Sequence, residues 1–388
     1  MRSNDIIVSN DKKLRAIYVG SPELFSRGAS AIHIMKMCQA MDRLGVETEL
    51  IMPTNRNRTQ LFEYYGVKSN FRLTSFPYFS STFLRNIIHG FLASLYIKFF
   101  RRKSYDIVVT RNIVFAYFAT KFFKISTVYD AHHPLVKGGA SLFNSFKNSK
   151  YLIRFSANSK GLSQIYLNQG LPKDKLVVAH NGVDLQRFQD APSKIECREN
   201  LGLPIDKRIV CYAGNIYEGR GIESLIEIAQ RLKDAHFLIV GGLDEDVDRY
   251  RRIAESKDAQ NFELVGFVPH KSVALYLQAS DVLVMPYTSK MTIKGGAIAQ
   301  EFTSPIKLFE YMAAARPIIA TSISSVKEIL EDKVNAVLVE PDSTDALYQG
   351  IEKVLRDSDL ADRIANRAAS DIKEYTWEER VRKLLDIK

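Results

Sequence analysis

The run Ser304-Pro305-Ile306-Lys307-Leu308, with Glu310 just beyond it, has the residue types of a helix start built to hold phosphate. Ser304 suits the N-cap, where its hydroxyl can accept from a free backbone amide. Pro305 suits the first helical position, where its missing N–H costs nothing. The amides of Ile306, Lys307 and Leu308 would then point out of the helix without internal partners, and with the helix dipole they make an anion site. Lys307 adds a charge at its mouth. Glu310, one residue beyond a full turn from the proline, would repel a phosphate but can accept bonds from a sugar diol. A diphosphate on the amides with a ribose on Glu310 makes a nucleotide-diphosphate site. The same residues would equally serve a capped surface helix.

Three other stretches carry polar groups on loops. Gly214-Asn215-Ile216-Tyr217-Glu218-Gly219-Arg220-Gly221 follows an apolar strand and opens a helix. Its glycines let backbone approach a ligand, and Arg220 can grip phosphate oxygens bidentately; a tight turn with a solvated arginine has the same composition. Tyr129-Asp130-Ala131-His132-His133-Pro134 ends another strand, and strand C-termini are where open parallel sheets bind ligands. Neighbouring side chains point apart, so His132 and His133 compete for one direction. Ser26-Arg27-Gly28-Ala29-Ser30 joins the first strand to the first helix. There Arg27 and Ser30 could meet an anionic acceptor, or Ser30 could simply cap the helix.

Taken in order, these stretches resemble family 4 glycosyltransferases. Ser304 to Met312 is similar to the donor-site signature, Ser30 to Met37 to the first helix, and Val177 to Asp184 to the interdomain junction. Tyr375 to Arg380 is similar to a C-terminal helix that crosses back onto the N-terminal domain. The resemblance implies an α/β chain of the GT-B fold, two doubly wound Rossmann-like domains facing a central cleft. It implies retaining, metal-independent transfer from a nucleotide-diphosphate sugar, with the donor phosphate helping to accept the acceptor's proton. Glu310 matches the second signature glutamate. The first falls at Phe302, with Glu301 one position off. Arg220 takes the place of the phosphate-binding lysine and Asn215 that of a second cation, for which Lys307 would compensate. His132 corresponds to the histidine that reaches the donor sugar, Gly28 to a glycine beside the sugar and acceptor, and His270 to a loop on the base pocket.

The 388 residues suit two to three domains with sizeable cores. Alternating strand and helix patterns predict parallel sheets with crossovers. The boundaries read as 1–185 for an acceptor-binding domain, 186–365 for a nucleotide-sugar domain, and 366–388 for the returning helix. Three cysteines, none in a CxxC, fit a reducing compartment. Gly241-Gly242 is too short for a dinucleotide fingerprint, which disfavours a dehydrogenase.

Residues 1–185 hold 26 Lys+Arg against 11 Asp+Glu, net +15, leaving −5 for the rest. Such a basic half suits an acidic partner. No nucleic-acid motif is present, so an anionic membrane or phosphorylated substrate fits better. Residues 83–103 read as one helix. Its stripe Phe83, Leu84, Ile87, Ile88, Phe91, Leu92, Leu95 and Phe99 is what packing on a sheet needs. Ala93, Tyr96, Ile97 and Phe100 form a second apolar patch beside Arg101, Arg102 and Lys103, with Arg85 and Lys98 nearby. That pattern suits shallow insertion into an anionic bilayer; core packing or oligomerisation would also use it. The expectation is thus a cytoplasmic glycosyltransferase, peripheral on the inner face of the membrane. Its donor would be a UDP-sugar, or else a GDP-sugar, its acceptor a glycan or lipid-linked glycan, with no cofactor beyond the donor and a role in bacterial surface polysaccharide assembly. A non-catalytic nucleotide-sugar binder and a nucleotide-sugar epimerase remain the alternatives.

Overall fold

The structure, a computed structural model, describes residues 13–25, 29–68, 70–102, 104–135, 138–290 and 302–387. Ser26, Arg27, Gly28, Lys103 and Glu301 lie outside the described residues. The chain forms two compact units, 1–182 with 377–388, and 183–376. The sequence boundary at 366 falls eleven residues before the observed return at Trp377. The reason is that Ser358–Asp371 still belongs to the second unit, with Leu360, Ile364, Ala365 and Ala368 buried.

The first unit holds seven strands: β1 Arg15–Val19, β2 Glu47–Pro53, β3 Arg72–Phe76, β4 Ile107–Thr110, β5 Thr127–Ala131, β6 Leu152–Ala157 and β7 Leu176–Val178. They pair in parallel in the order β3-β2-β1-β4-β5-β6-β7. The central strands β4 and β5 are buried along their whole length, as a sheet covered by helices on both faces requires. Each buried valine or isoleucine among them contributes roughly 1.5–3 kcal/mol of burial. The second unit repeats the plan with six: β8 Arg208–Ala213, β9 Ala235–Val240, β10 Phe262–Gly266, β11 Val282–Met285, β12 Ile318–Thr321 and β13 Val337–Val339. Their order is β10-β9-β8-β11-β12-β13, again parallel. In both sheets the winding reverses once, between β1 and β4 and between β8 and β11. Such a reversal opens a crevice at the strands' carboxyl ends.

The Thr82–Phe100 helix packs with the opposite side to the one its apolar stripe suggests. Arg85, His89, Gly90, Ala93, Ser94 and Ile97 are buried, whereas Phe83 is 72% exposed, Phe99 68% and Phe100 77%. Small residues decide this. A β-carbon on Gly90 would lie 2.8 Å from the Phe115 amide, so the helix presses its narrow side onto Ile113–Phe118 and turns its large side chains outward. Of the basic residues expected to flank a lipid surface, Arg85 is buried among the Tyr78, Phe79, Ser80 and Thr82 oxygens. Arg101 pairs with Glu49 at 2.6 Å, and Lys98 donates to the Phe123 carbonyl at 3.1 Å. Arg102 is exposed, and Lys121 and Lys124 are exposed beside Phe122, itself 58% exposed. Among the described residues no helix is long and apolar enough to cross a membrane.

Candidate active site

β8 delivers the chain to the reversal of the second sheet, and the loop after it turns on glycines. Gly221 has φ +70°, and a β-carbon there would lie 2.0 Å from the Pro286 carbonyl oxygen. Only glycine lets the loop lie against the end of β11. This contact brings Arg220 over the Tyr287 ring, 4.7 Å from its centre, and over Tyr217 at 4.5 Å. Its Nη2 donates to the Tyr217 hydroxyl at 2.5 Å.

Lys307 reaches the same ring from the helix Ile306–Ala313. Its ammonium lies 5.3 Å from the centre of Tyr287 and 4.0 Å from that of Tyr212. It donates to the Tyr212 hydroxyl at 2.7 Å, and that hydroxyl donates to the Asn215 carbonyl at 2.6 Å. Lys307 thus stands at Gly214, where a β-carbon would meet its Nζ at 2.1 Å, next to the exposed Asn215. No carboxylate among the described residues lies within ion-pair distance of it. Burial, and then the neighbouring Arg220 charge, push the Lys307 pKa well below the ordinary lysine value; Glu310 works the other way more weakly. Two cations held against one aromatic ring offer an anion two positive charges within a short span.

The helix start differs by one residue from the sequence reading. Pro305 has ψ 121° and is the cap, so the helix begins at Ile306 and Ser304 precedes it. An extended residue cannot be the first helical one. The Leu308 amide is spent on the Pro305 carbonyl at 3.1 Å, which leaves those of Ile306 and Lys307 as the outward pair. Glu310 is buried. Its Oε1 accepts from Arg187 Nη1 at 3.3 Å and lies 2.8 Å from His270 Nε2. Arg187 also donates to the His270 carbonyl. Burial acts to raise the Glu310 pKa, but His270 and Arg187 outweigh it and hold the group below the usual glutamate value. Oε2 has no hydrogen-bond partner among the described residues. Arg187 was not singled out in the sequence: it lies 123 positions from Glu310 and no local pattern links them.

The second histidine-bearing cluster belongs to the first unit. His132 follows β5 and is mostly buried. Its Nε2 lies 3.1 Å from Asp130 Oδ2, and Asn158 Nδ2 lies 3.3 Å from its Nδ1. The carboxylate needs a proton opposite it and the amide needs an acceptor, so the ring carries its proton on Nε2. Arg380 Nη2 donates to Asp130 Oδ1 at 2.6 Å and comes within 3.3 Å of His132 Nε2. Since Arg380 has only donors, that second approach is a contact around the shared carboxylate. Burial, then the Arg111 charge, lower the His132 pKa to about 3, so the ring is neutral at pH 7. For Asp130, burial acts upward, but Arg380 and the two histidines hold it well below the carboxylate range. His33, Asp130 and His132 place three ligand-type atoms within 4.8 Å of one another. A metal there would meet the fixed Arg380 guanidinium, so these residues fit an ion pair better than a metal. His133 is exposed and its Nδ1 donates to the Pro134 carbonyl at 3.1 Å.

The structure therefore brings Arg220, Asn215, Lys307 and the Ser304–Glu310 stretch together at one end of the second sheet, and sets His132 in the first unit.

Two doubly wound parallel units of this kind are those of GT-B proteins. Residues 30–187 match the family described as Glycosyltransferase Family 4 and residues 193–371 that described as Glycosyl transferases group 1. The chain belongs to the family 4 glycosyltransferases. An uncharacterized glycosyltransferase of Methanocaldococcus jannaschii is 26% identical over 214 residues, 53% of this chain and 52% of that one, so the match spans about half its length. Anabaena HepE in complex with UDP and glucose superposes with a TM-score of 0.72 at 16% identity, over 95% of this chain and 99% of that one. WaaG, a glycosyltransferase involved in lipopolysaccharide biosynthesis, superposes with a TM-score of 0.68 at 14% identity, over 96% and 99%.

Proposed function

We propose that the protein moves a sugar, with retention and without a metal, from a nucleoside-diphosphate donor to a glycan or lipid-linked acceptor in surface polysaccharide assembly. UDP-sugars come before GDP-sugars as donors. The observation that carries this is the pair of cations, Arg220 and Lys307, on the Tyr287 ring. A diphosphate leaving group gains charge as the glycosidic bond breaks, and fixed cations in a dry site stabilise that charge without reorganising. Two of them suit the neutralising task that a divalent ion performs in other transferases. The outward amides of Ile306 and Lys307 add donors, and Glu310 keeps Oε2 for a ribose diol. His132, neutral, serves the sugar or the acceptor. HepE binding UDP and glucose, and WaaG acting in lipopolysaccharide biosynthesis, support the donor class and the setting.

The acceptor belongs at an anionic membrane on its cytoplasmic face. Supporting this is the C-terminal end of Thr82–Phe100, where Phe99 and Phe100 are exposed close in sequence to Arg102, together with Phe122 exposed near Lys121 and Lys124; Phe83 is exposed at the other end of the helix. Rings next to lysines and arginines match the headgroup boundary of an anionic bilayer.

The test is incubation with UDP- and GDP-sugars and candidate acceptors, with and without EDTA. Transfer that survives EDTA with the anomeric configuration kept is expected. Loss of transfer in EDTA overturns metal independence, donor binding without turnover makes the protein a binder, and isomerised donor makes it an epimerase.

A further inference from the structure

The first sheet also reverses its winding, between β1 and β4, and a cavity of 370 Å³ lies there, lined by residues that the donor site does not use. It is large enough for a sugar phosphate. Its floor is held rigidly. Thr110 Oγ1, at the end of β4, donates to the Val19 carbonyl of β1 at 3.0 Å and accepts from the Asn112 amide at 3.0 Å. Asn112 Nδ2 donates to Ser21 Oγ at 3.1 Å and to the Asn86 carbonyl at 2.9 Å. Arg111 is clamped between these two anchored residues.

The charges in the cavity do not balance. Arg111 lines it, and its buried Nη1 has no hydrogen-bond partner among the described residues. A guanidinium nitrogen withdrawn from water without an acceptor is costly, so the site is built to receive one. Arg85 lines the same cavity. Its guanidinium is satisfied by neutral oxygens, including those of Ser21, Phe79 and Thr82, and no carboxylate among the described residues pairs with it. Among the described lining residues Glu23 is the single acid, against these two arginines. Ser30 and His133 add polar groups at the wall.

We infer that this cavity binds the acceptor through a phosphate group, with Arg111 as its direct ligand and Arg85 as a fixed charge behind it. The inference rests on the transferase reading and deepens it. A phosphate monoester carries about −1.5 to −2 charges at neutral pH, which suits two arginines, whereas a carboxylate brings one. The phosphate can belong to a free sugar phosphate or to a lipid-borne one; both offer the same oxygens to Arg111.

The experiment is calorimetric titration of the full chain, already saturated with UDP so that the cations of the donor site are occupied. The probes are glycerol 3-phosphate, dihexanoyl phosphatidate, glycerol and glucuronate. Both phosphates are expected to bind, glycerol not to bind, and glucuronate to bind at least tenfold more weakly. A tenfold preference for phosphatidate assigns the lipid-borne source, and equal binding the free one. Arg111→Gln should weaken the phosphates at least tenfold and leave UDP affinity unchanged. Arg111→Lys, which keeps the charge, should retain part of the affinity and guards against a folding defect. No phosphate binding, phosphate binding indifferent to Arg111→Gln, or glucuronate binding as well as glycerol 3-phosphate would overturn the inference. Failure of UDP itself to bind strikes the donor reading alone, because the Arg111→Gln difference is then read without UDP on two proteins that share the other anion site.

Discussion

The Lys307 ammonium and the Tyr212 hydroxyl lie 2.7 Å apart, and the same ring stands 4.0 Å under the charge. A lysine so placed gives up its proton more readily than one in water, because burial and Arg220 both disfavour its charge. A bound diphosphate restores the charge. UDP binding is therefore expected to take up protons at pH values above the depressed Lys307 pKa, once the terminal phosphate is already ionised, and to weaken as pH rises through that pKa. Titration in buffers of different ionisation enthalpy measures the uptake, and Lys307→Met should abolish it. Proton release, or uptake unchanged in the variant, would remove Lys307 from the donor site.

Arg220 and Glu310 separate by kinetics. Arg220→Ala should lower kcat most, because its charge matters more as the leaving group departs, whereas Glu310→Ala should chiefly raise the donor KM. Each is expected to cost roughly 2–4 kcal/mol, the range for one preorganised contact. Wild-type kinetics in Arg220→Ala would place the loop away from the phosphates.

Glu310 also shapes acid stability. Its pKa in the folded chain lies below the unfolded value, held there by His270 and Arg187 against burial. Its stabilising contribution is thus complete above the ordinary glutamate range and is lost as pH falls through the depressed value. Glu310→Gln should flatten the acid limb of a stability-against-pH curve. A limb as steep as that of the wild type would mean the carboxylate is not held down.

Arg380 and Asp130 form an ion pair with side chains 1% and 0% exposed. Arg380→Met alone leaves a buried carboxylate without its partner and should cost about 3–5 kcal/mol in denaturant unfolding. The double change Arg380→Met with Asp130→Asn should recover much of that loss. Additive costs would show that the two do not act as a pair.

Membrane attachment is read by flotation. Wild type should float with anionic vesicles at low salt and not with neutral ones. Changing Phe83, Phe99 and Phe100 to Ser, or Arg102, Lys121 and Lys124 to Gln, should weaken it; each cation near such a surface is worth about 1 kcal/mol. Binding indifferent to salt and to both sets would end the membrane account.

The parallel sheets were legible in the sequence because their strands are short apolar runs divided by polar turns, as β8 and β9 are. Arg220, Lys307 and Glu310 were singled out in the sequence because each sits in a local motif whose spacing suits the chemistry proposed for it. What pattern could not give was anything set by distant packing. The sidedness of Thr82–Phe100 was misread because a large apolar stripe normally marks the core, while here Gly90, Ala93 and Ser94 make the close contact. Arg187 on Glu310 and Arg380 on Asp130 bridge 123 and 250 positions, and no periodicity reports such pairs. The helix Ile113–Phe118 and the π-helical turn Ala119–Phe123 were not read because Ile113-Val114-Phe115 has the β-branched and aromatic residues of a strand.

The return of the last helix to the first unit has a consequence for how the chain is made. Synthesis runs from the N-terminus, and domains generally fold as they emerge. Asp130 leaves the ribosome 250 residues ahead of the arginine that neutralises it. In the second unit, by contrast, Val183 and Thr376 bridge side by side, so that unit has every strand it needs before Trp377 is added. The half of the protein encoded first is therefore the half completed last. A chain cut short just before Arg380 carries a second body that is whole and a first that still lacks the charge paired with Asp130.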